Sequence, residues 1–65
     1  MKFAEWLFQQ VDRDDYVGEL ARKVEDDELF PESGGRAIYE GYFETFPPEV
    51  QSQFDRVWDA WEAEA

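Results

Sequence analysis

Cysteine and histidine are both absent from this sequence of 65 residues. Without cysteine the chain can form no disulfide, and without either residue it has no ordinary zinc site. The same absence removes the side chains that most often activate a serine or threonine hydroxyl for covalent catalysis. The sequence therefore predicts a protein with no metal, no cofactor and no enzymatic activity.

Basic residues are also scarce. The chain has 6 Lys and Arg against 17 Asp and Glu, which gives a formal net charge of -11. Such an excess of carboxylates repels nucleic acid and anionic membrane surfaces. It could attract a basic partner, or it could serve only to keep the protein soluble. No apolar run has the length of an export signal or a membrane span, so we expect a cytoplasmic protein that does not bind membranes.

Aromatic side chains are abundant and make up 18% of the chain. Each can bury roughly 150–250 Å², which matters because so short a chain buries only about 60% of its unfolded surface. The aromatic residues recur at helical spacing, most clearly over residues 50–61. These features predict one all-α domain over residues 1–65. Its expected core is Phe3, Trp6, Leu20, Phe30, Ile38, Phe43, Phe54 and Trp58.

Turn-forming residues divide the chain into four predicted helices. Asp15 is the expected N-cap of the second helix, and Pro48 suits the first turn of the fourth. Glycines at positions 18 and 41 are costly inside helices, and we expect each to allow close contact with a neighbouring helix or ring, or at position 41 to mark a weak helix. The helices are predicted at about residues 2–11, 16–26, 36–45 and 48–62.

The connector between the second and third helices contains the segment Asp27-Glu28-Leu29-Phe30-Pro31. Pro31 disfavours a helical conformation at the preceding residue, so the chain should be extended there. We expect this turn to direct Leu29 and Phe30 into the core. Asp27 could either cap the turn or belong to a cation-binding or docking patch at residues 25–28.

Two segments carry a resemblance to a known family. The turn at residues 27–31 reads Asp-x-x-Phe-Pro, and residues 54–58 read Phe-Asp-x-x-Trp. Together with the order of the other aromatic and acidic residues, they make nearly the whole chain similar to the YozE family of short bacterial proteins. This resemblance implies a four-helix fold like that of a sterile alpha motif (SAM). It implies no activity, because the family has no established one.

Two acidic runs could suggest cation binding. Residues 12–15 begin like a calcium loop, but Tyr16, Val17 and Lys23 occupy positions where such a loop needs an oxygen ligand, a glycine and a glutamate. The four carboxylates of residues 25–28 are consecutive and would not converge from a helix. We interpret both runs as solvated acidic surface.

The aromatic residues outnumber what one face of a small core needs, which suggests a partner-binding surface. The simpler alternative is that all of them pack internally. Our leading hypothesis is a small acidic interaction module that binds an unidentified protein, with its oligomeric state left open. The candidate partner-binding residues are Tyr39, Tyr42, Phe46 and Trp61.

A second hypothesis is a nucleic-acid-associated regulator. Arg22, Lys23 and Arg36 could meet at one end of the second and third helices and contact phosphates as a basic corner. Alternatively, the acidic surface could mimic DNA and occupy a nucleic-acid-binding protein. The net charge disfavours direct binding to nucleic acid.

Overall fold

The computed structural model describes all 65 residues. It consists of four helices without strands, which confirms the expected all-α fold. The first three helices end two or three residues earlier than predicted, because each passes into a turn closed by a hydrogen bond between residues three apart, such as Asp27 to Val24 and Phe46 to Phe43. The helices are α1 (Phe3–Phe8), α2 (Tyr16–Val24), α3 (Arg36–Phe43) and α4 (Pro48–Glu64).

Local side-chain chemistry sets where two of the helices begin. The Asp15 carboxylate accepts hydrogen bonds from the amides of Val17 at 3.1 Å and Gly18 at 3.2 Å, so it caps α2 as predicted. Pro48 is the first residue of α4, where a missing amide costs nothing. These residues fix where α2 and α4 start after their preceding turns.

α4 is the longest helix, and each of the other three packs against it. Phe3 of α1 lies at the centre of the aromatic core. Its ring is 4.8 Å from that of Trp58, 5.0 Å from that of Tyr39 and 5.9 Å from that of Phe54, measured between centroids. Every expected core residue is buried except Ile38.

Ile38 and Leu29 were both expected to point inward, and both expectations are wrong. Ile38 is 53% exposed because α3 turns its neighbour Tyr39, together with Phe43 one turn later, into the core. Leu29 is 83% exposed because the turn at Asp27 directs only Phe30 inward. Successive residues in a helix or an extended segment point in different directions, so burying Tyr39 and Phe30 turns Ile38 and Leu29 toward solvent.

Gly18 does allow a close approach, although the neighbour is neither a helix nor a ring. A Cβ atom at this position would overlap the carbonyl oxygen of Arg13. That carbonyl also accepts a hydrogen bond at 2.9 Å from Arg22, which reaches the Val11 carbonyl at 2.6 Å as well. Gly18 and Arg22 thus hold the turn after α1 against α2. Gly41 has no neighbour within 4 Å, so a tight contact there is ruled out.

Candidate interaction surface

The four aromatic residues proposed for partner binding do not form one surface. Tyr39 is fully buried, so it belongs to the core and is not available to a partner. Tyr42 and Phe46 are partly buried and pack on each other, with ring centroids 5.3 Å apart. Trp61 is also partly buried but lies on α4, against Phe3. Only the last three remain candidates for contact with a partner.

Tyr42 is held by a hydrogen bond that closes the connector between α2 and α3. Its hydroxyl donates to the Asp27 carboxylate at 2.5 Å, while the other oxygen of that carboxylate accepts from the Leu29 amide at 2.9 Å. Burial and the Asp27 carboxylate raise the pKa of Tyr42 well above its usual value. The Tyr42 hydroxyl and, to a lesser extent, the Leu29 amide lower the pKa of Asp27. Asp27 therefore caps this turn, which is one of the two roles considered for it.

Trp61 attaches the start of the chain to the end of α4. Its indole nitrogen donates to the Met1 carbonyl at 3.2 Å, and its ring lies 4.8 Å from that of Trp58. The other side of the Trp61 ring faces two shallow depressions that Met1 also lines. Trp61 can therefore contact another molecule without any rearrangement of the core.

These depressions adjoin a third one along the first turns of α1. Of the two depressions beside Trp61, the larger extends to Glu5 and Gly34 and has a volume of about 480 Å³. Beyond Glu5 lies a depression of about 220 Å³ whose other wall is Glu32. The two depressions at Trp61 share Met1 and Trp61, and the larger of them shares Glu5 with the third, so they are neighbours along α1 and are here named together the α1 trough. It is defined by Met1, Glu5, Phe8, Glu32, Gly34 and Trp61.

Phe8 gives one end of the trough an aromatic wall. Its side chain is 38% exposed, and its ring meets that of Phe30 edge-on at 5.6 Å. Glu5 and Glu32 line the same depression, and neither makes a hydrogen bond or an ion pair within the protein. A partly exposed aromatic ring beside two unpaired carboxylates suits a cation with an apolar stem.

The proposed basic corner is divided among separate contacts. Arg22 donates to the two carbonyls after α1, and Lys23 lies 3.4 Å from the Gln53 side chain on α4. Arg36 pairs with Glu40 at 3.1 Å and with Asp55 at 2.7 Å. The structure thus directs these three cations toward three different parts of the fold.

The two remaining arginines are also engaged within the fold. Arg13 pairs with Asp15 at 2.8 Å and with Glu64 at 3.0 Å, which joins the start of α2 to the end of α4. The guanidinium of Arg56 lies 4.4 Å from the centre of the Tyr16 ring. Every arginine therefore has an internal partner, whereas most carboxylates face solvent.

The acidic runs do not assemble into a cation site. Asp27 is directed to Tyr42 and Leu29, and Asp15 is directed to the start of α2 and to Arg13. No three acidic side chains in the chain are arranged to hold a metal ion. No helix combines the length and the apolarity that crossing a membrane requires.

The family comparison agrees with this architecture. The model of the YozE SAM-like fold family matches residues 2–63. The chain belongs to this family. No curated protein and no solved structure matches it significantly. The function of the YozE family is uncharacterised, so membership establishes the fold and leaves the activity to be inferred from the surface.

In this YozE-family domain, the sequence singled out Trp61 as a candidate but not Phe8 or the two carboxylates beside it. Phe8 lies one residue beyond the apolar pattern of Phe3, Trp6 and Leu7, at the edge of the buried face of α1. A position at the edge of the apolar face indicates a side chain that is only partly buried, and this was the one sequence feature that could have identified Phe8. The proximity of Glu32 to Glu5 depends on how the loop after Pro31 packs against α1, which no local pattern indicates.

Proposed function

We propose that this YozE-family domain is a non-enzymatic module that binds a basic partner protein. The observation that carries the proposal is the unequal pairing of its charges. All four arginines have partners within the fold, whereas only five of the 17 acidic residues make a side-chain hydrogen bond or ion pair. The unpaired carboxylates produce a negative field that would accelerate encounter with a positively charged surface.

Affinity capture tests this proposal. The immobilised domain is incubated with a cell lysate at about 50 mM and at about 500 mM salt, since screening weakens attraction between exposed charges at the higher concentration. We expect a basic protein to be enriched at low salt and largely released at high salt. The proposal fails if nothing is enriched at low salt.

Direct binding to nucleic acid has less support, because the arginines that would contact phosphates are engaged elsewhere. We therefore expect no gel shift with mixed DNA and RNA at about 50 mM salt, where phosphate contacts are strongest. Mimicry of DNA is a special case of the main proposal. It requires that DNA compete with the domain for the captured partner.

A further inference from the structure

The α1 trough has chemistry suited to a particular occupant. At one end, the Phe8 ring is exposed between Glu5 and Glu32, both of which lack a partner. At the other end, Trp61 and Met1 present apolar surface. Lys2 is the one basic side chain along its length. The trough therefore has an aromatic side chain at each end with unpaired carboxylates beside it, Glu5 and Glu32 at the Phe8 end and Glu62 at the Trp61 end.

One wall of the trough also offers free backbone groups. No backbone amide or carbonyl of residues 32–34 forms a hydrogen bond within the protein. Gly34 adopts φ 124°, a conformation that suits glycine, and the Ile38 side chain packs against the position where a Cβ would lie. An extended peptide has unpaired amides and carbonyls of its own, which this wall can pair.

From these features we propose that the α1 trough binds an extended basic segment of the partner, with a lysine or arginine side chain placed over Phe8 between Glu5 and Glu32. Apolar residues of the segment then lie toward Trp61. This inference rests on the proposed function and specifies where on the domain the partner binds.

Charge decides among the possible occupants. A second copy of this chain also carries a net charge of -11, so it would be repelled. Nucleic acid would place phosphates against Glu5 and Glu32. A free small cation would leave the apolar surface at Trp61 uncovered. A basic segment with apolar residues satisfies both ends of the trough.

The first test is nuclear magnetic resonance titration of the ¹⁵N-labelled domain with a defined probe. The probe is the peptide Gly-Lys-Leu-Gly-Arg-Leu-Gly-Lys-Leu-Gly, and the control peptide has glutamate in place of each basic residue. We expect the basic peptide to shift the resonances of Glu5, Phe8, Gly34 and the Trp61 indole, and the acidic peptide to shift none. No binding at millimolar peptide, or shifts spread over every acidic face, overturns the proposal.

Charge-reversed variants provide matched controls. The pair Glu5→Lys with Glu32→Lys should weaken peptide binding about tenfold by converting two attractions into repulsions. The control pair, Glu19→Lys with Glu28→Lys, changes the net charge by the same amount at exposed positions outside the trough. Glu19, like Glu5, lies in the first turn of a helix, and Glu28, like Glu32, lies in a loop. It should weaken binding less than about twofold, through long-range charge alone. Equal losses in the two pairs contradict the proposed site.

A third variant tests the aromatic contact separately from charge. Phe8→Leu keeps an apolar side chain against Phe30 but removes the ring face, so binding should weaken about threefold. Unchanged affinity would mean that no cation lies over Phe8. Circular dichroism of each variant confirms that the helices are retained.

Repeating the lysate capture separates this inference from the proposed function. If wild-type domain captures a basic protein and the Glu5→Lys, Glu32→Lys variant does not, both stand. If that variant captures the protein as well as its charge-matched control does, the trough is not the site although the proposed function survives. Resonances of the trough that shift with domain concentration in the absence of peptide would indicate a second copy and overturn the inference.

Discussion

The hydroxyl of Tyr39 lies inside the core without a hydrogen-bond partner. Burial raises the pKa of this group, and the Ala4 backbone amide, which approaches the hydroxyl without reaching hydrogen-bond geometry, lowers it by a smaller amount. An unpaired buried polar group costs about 1–3 kcal/mol. We therefore expect Tyr39→Phe to leave the melting temperature unchanged or to raise it. In contrast, Tyr42→Phe removes a formed hydrogen bond and should lower it. A clear loss of stability in Tyr39→Phe would show that its hydroxyl is paired.

Asp27 gives a second prediction at the level of a single residue. The Tyr42 hydroxyl is the main reason that the pKa of the Asp27 carboxyl is lowered in the folded protein. Because an aspartate in the unfolded chain titrates near pH ~3.9, the stabilisation from this ionised carboxylate is complete above that pH. It is lost as the pH falls through the lower pKa of the folded state.

Tyr42→Phe should therefore move the titration midpoint of Asp27 upward, toward the ordinary aspartate value, because the largest cause of the shift is gone. Carbon-detected magnetic resonance of the Asp27 carboxyl measures this midpoint in both proteins. An unchanged midpoint for Asp27 contradicts the assigned cause.

At the scale of single helices, two glycines should respond in opposite ways to the same substitution. Gly41 lies within α3 with open space around it, so Gly41→Ala should stabilise the domain by about 1 kcal/mol through helix propensity alone. Gly18 lies in α2 against the Arg13 carbonyl, so a methyl group at this position would push away the turn after α1. Gly18→Ala should therefore destabilise the domain by about 1–3 kcal/mol, although its gain in helix propensity is the same. Urea unfolding measures both values, and stabilisation by Gly18→Ala would contradict this contact.

The rotation of α3 shows where sequence reasoning ends at this scale. Two pairs at helical spacing could have faced the core, Ile38 with Tyr42 or Tyr39 with Phe43. Either pair is apolar enough to be buried. A helix of eight residues is too short for a repeated apolar pattern that would distinguish between the two pairs. Packing against α4 and the ring of Phe3 selects the second pair. By comparison, α4 has 17 residues, and its repeated pattern predicted Phe54 and Trp58 correctly.

The caps were predictable for a different reason. Asp15 and Asp27 accept hydrogen bonds from amides two or three residues away. Because the partners are so close in sequence, the local sequence is enough to predict the contact. The α1 trough is the opposite case, because it joins α1, the loop at residues 32–34 and the end of α4. Such a surface exists only after the helices have packed, so the sequence could not predict it as a whole. Of its defining residues, only Trp61 was a candidate for partner binding from the sequence.

For the whole molecule, the balance between attraction and repulsion among its charges decides how stability depends on salt. The four ion pairs involve side chains that are partly exposed, and such pairs contribute about 0–1 kcal/mol each. Against them stands the mutual repulsion of a net charge of -11 in a domain whose longest dimension is 25 Å. Many carboxylates therefore lie within about 10 Å of one another, the screening length at 0.1 M salt.

Repulsion should outweigh the pairs, so the melting temperature should rise between about 10 mM and about 500 mM sodium chloride at neutral pH. The same comparison near pH ~4, where about half of ordinary carboxylates are protonated, should show a smaller rise. Differential scanning calorimetry measures both. A melting temperature that falls with salt at neutral pH would mean that the ion pairs of Arg13 and Arg36 dominate. The acidic surface would then be stabilised by its own cations and would attract a basic partner less than we propose.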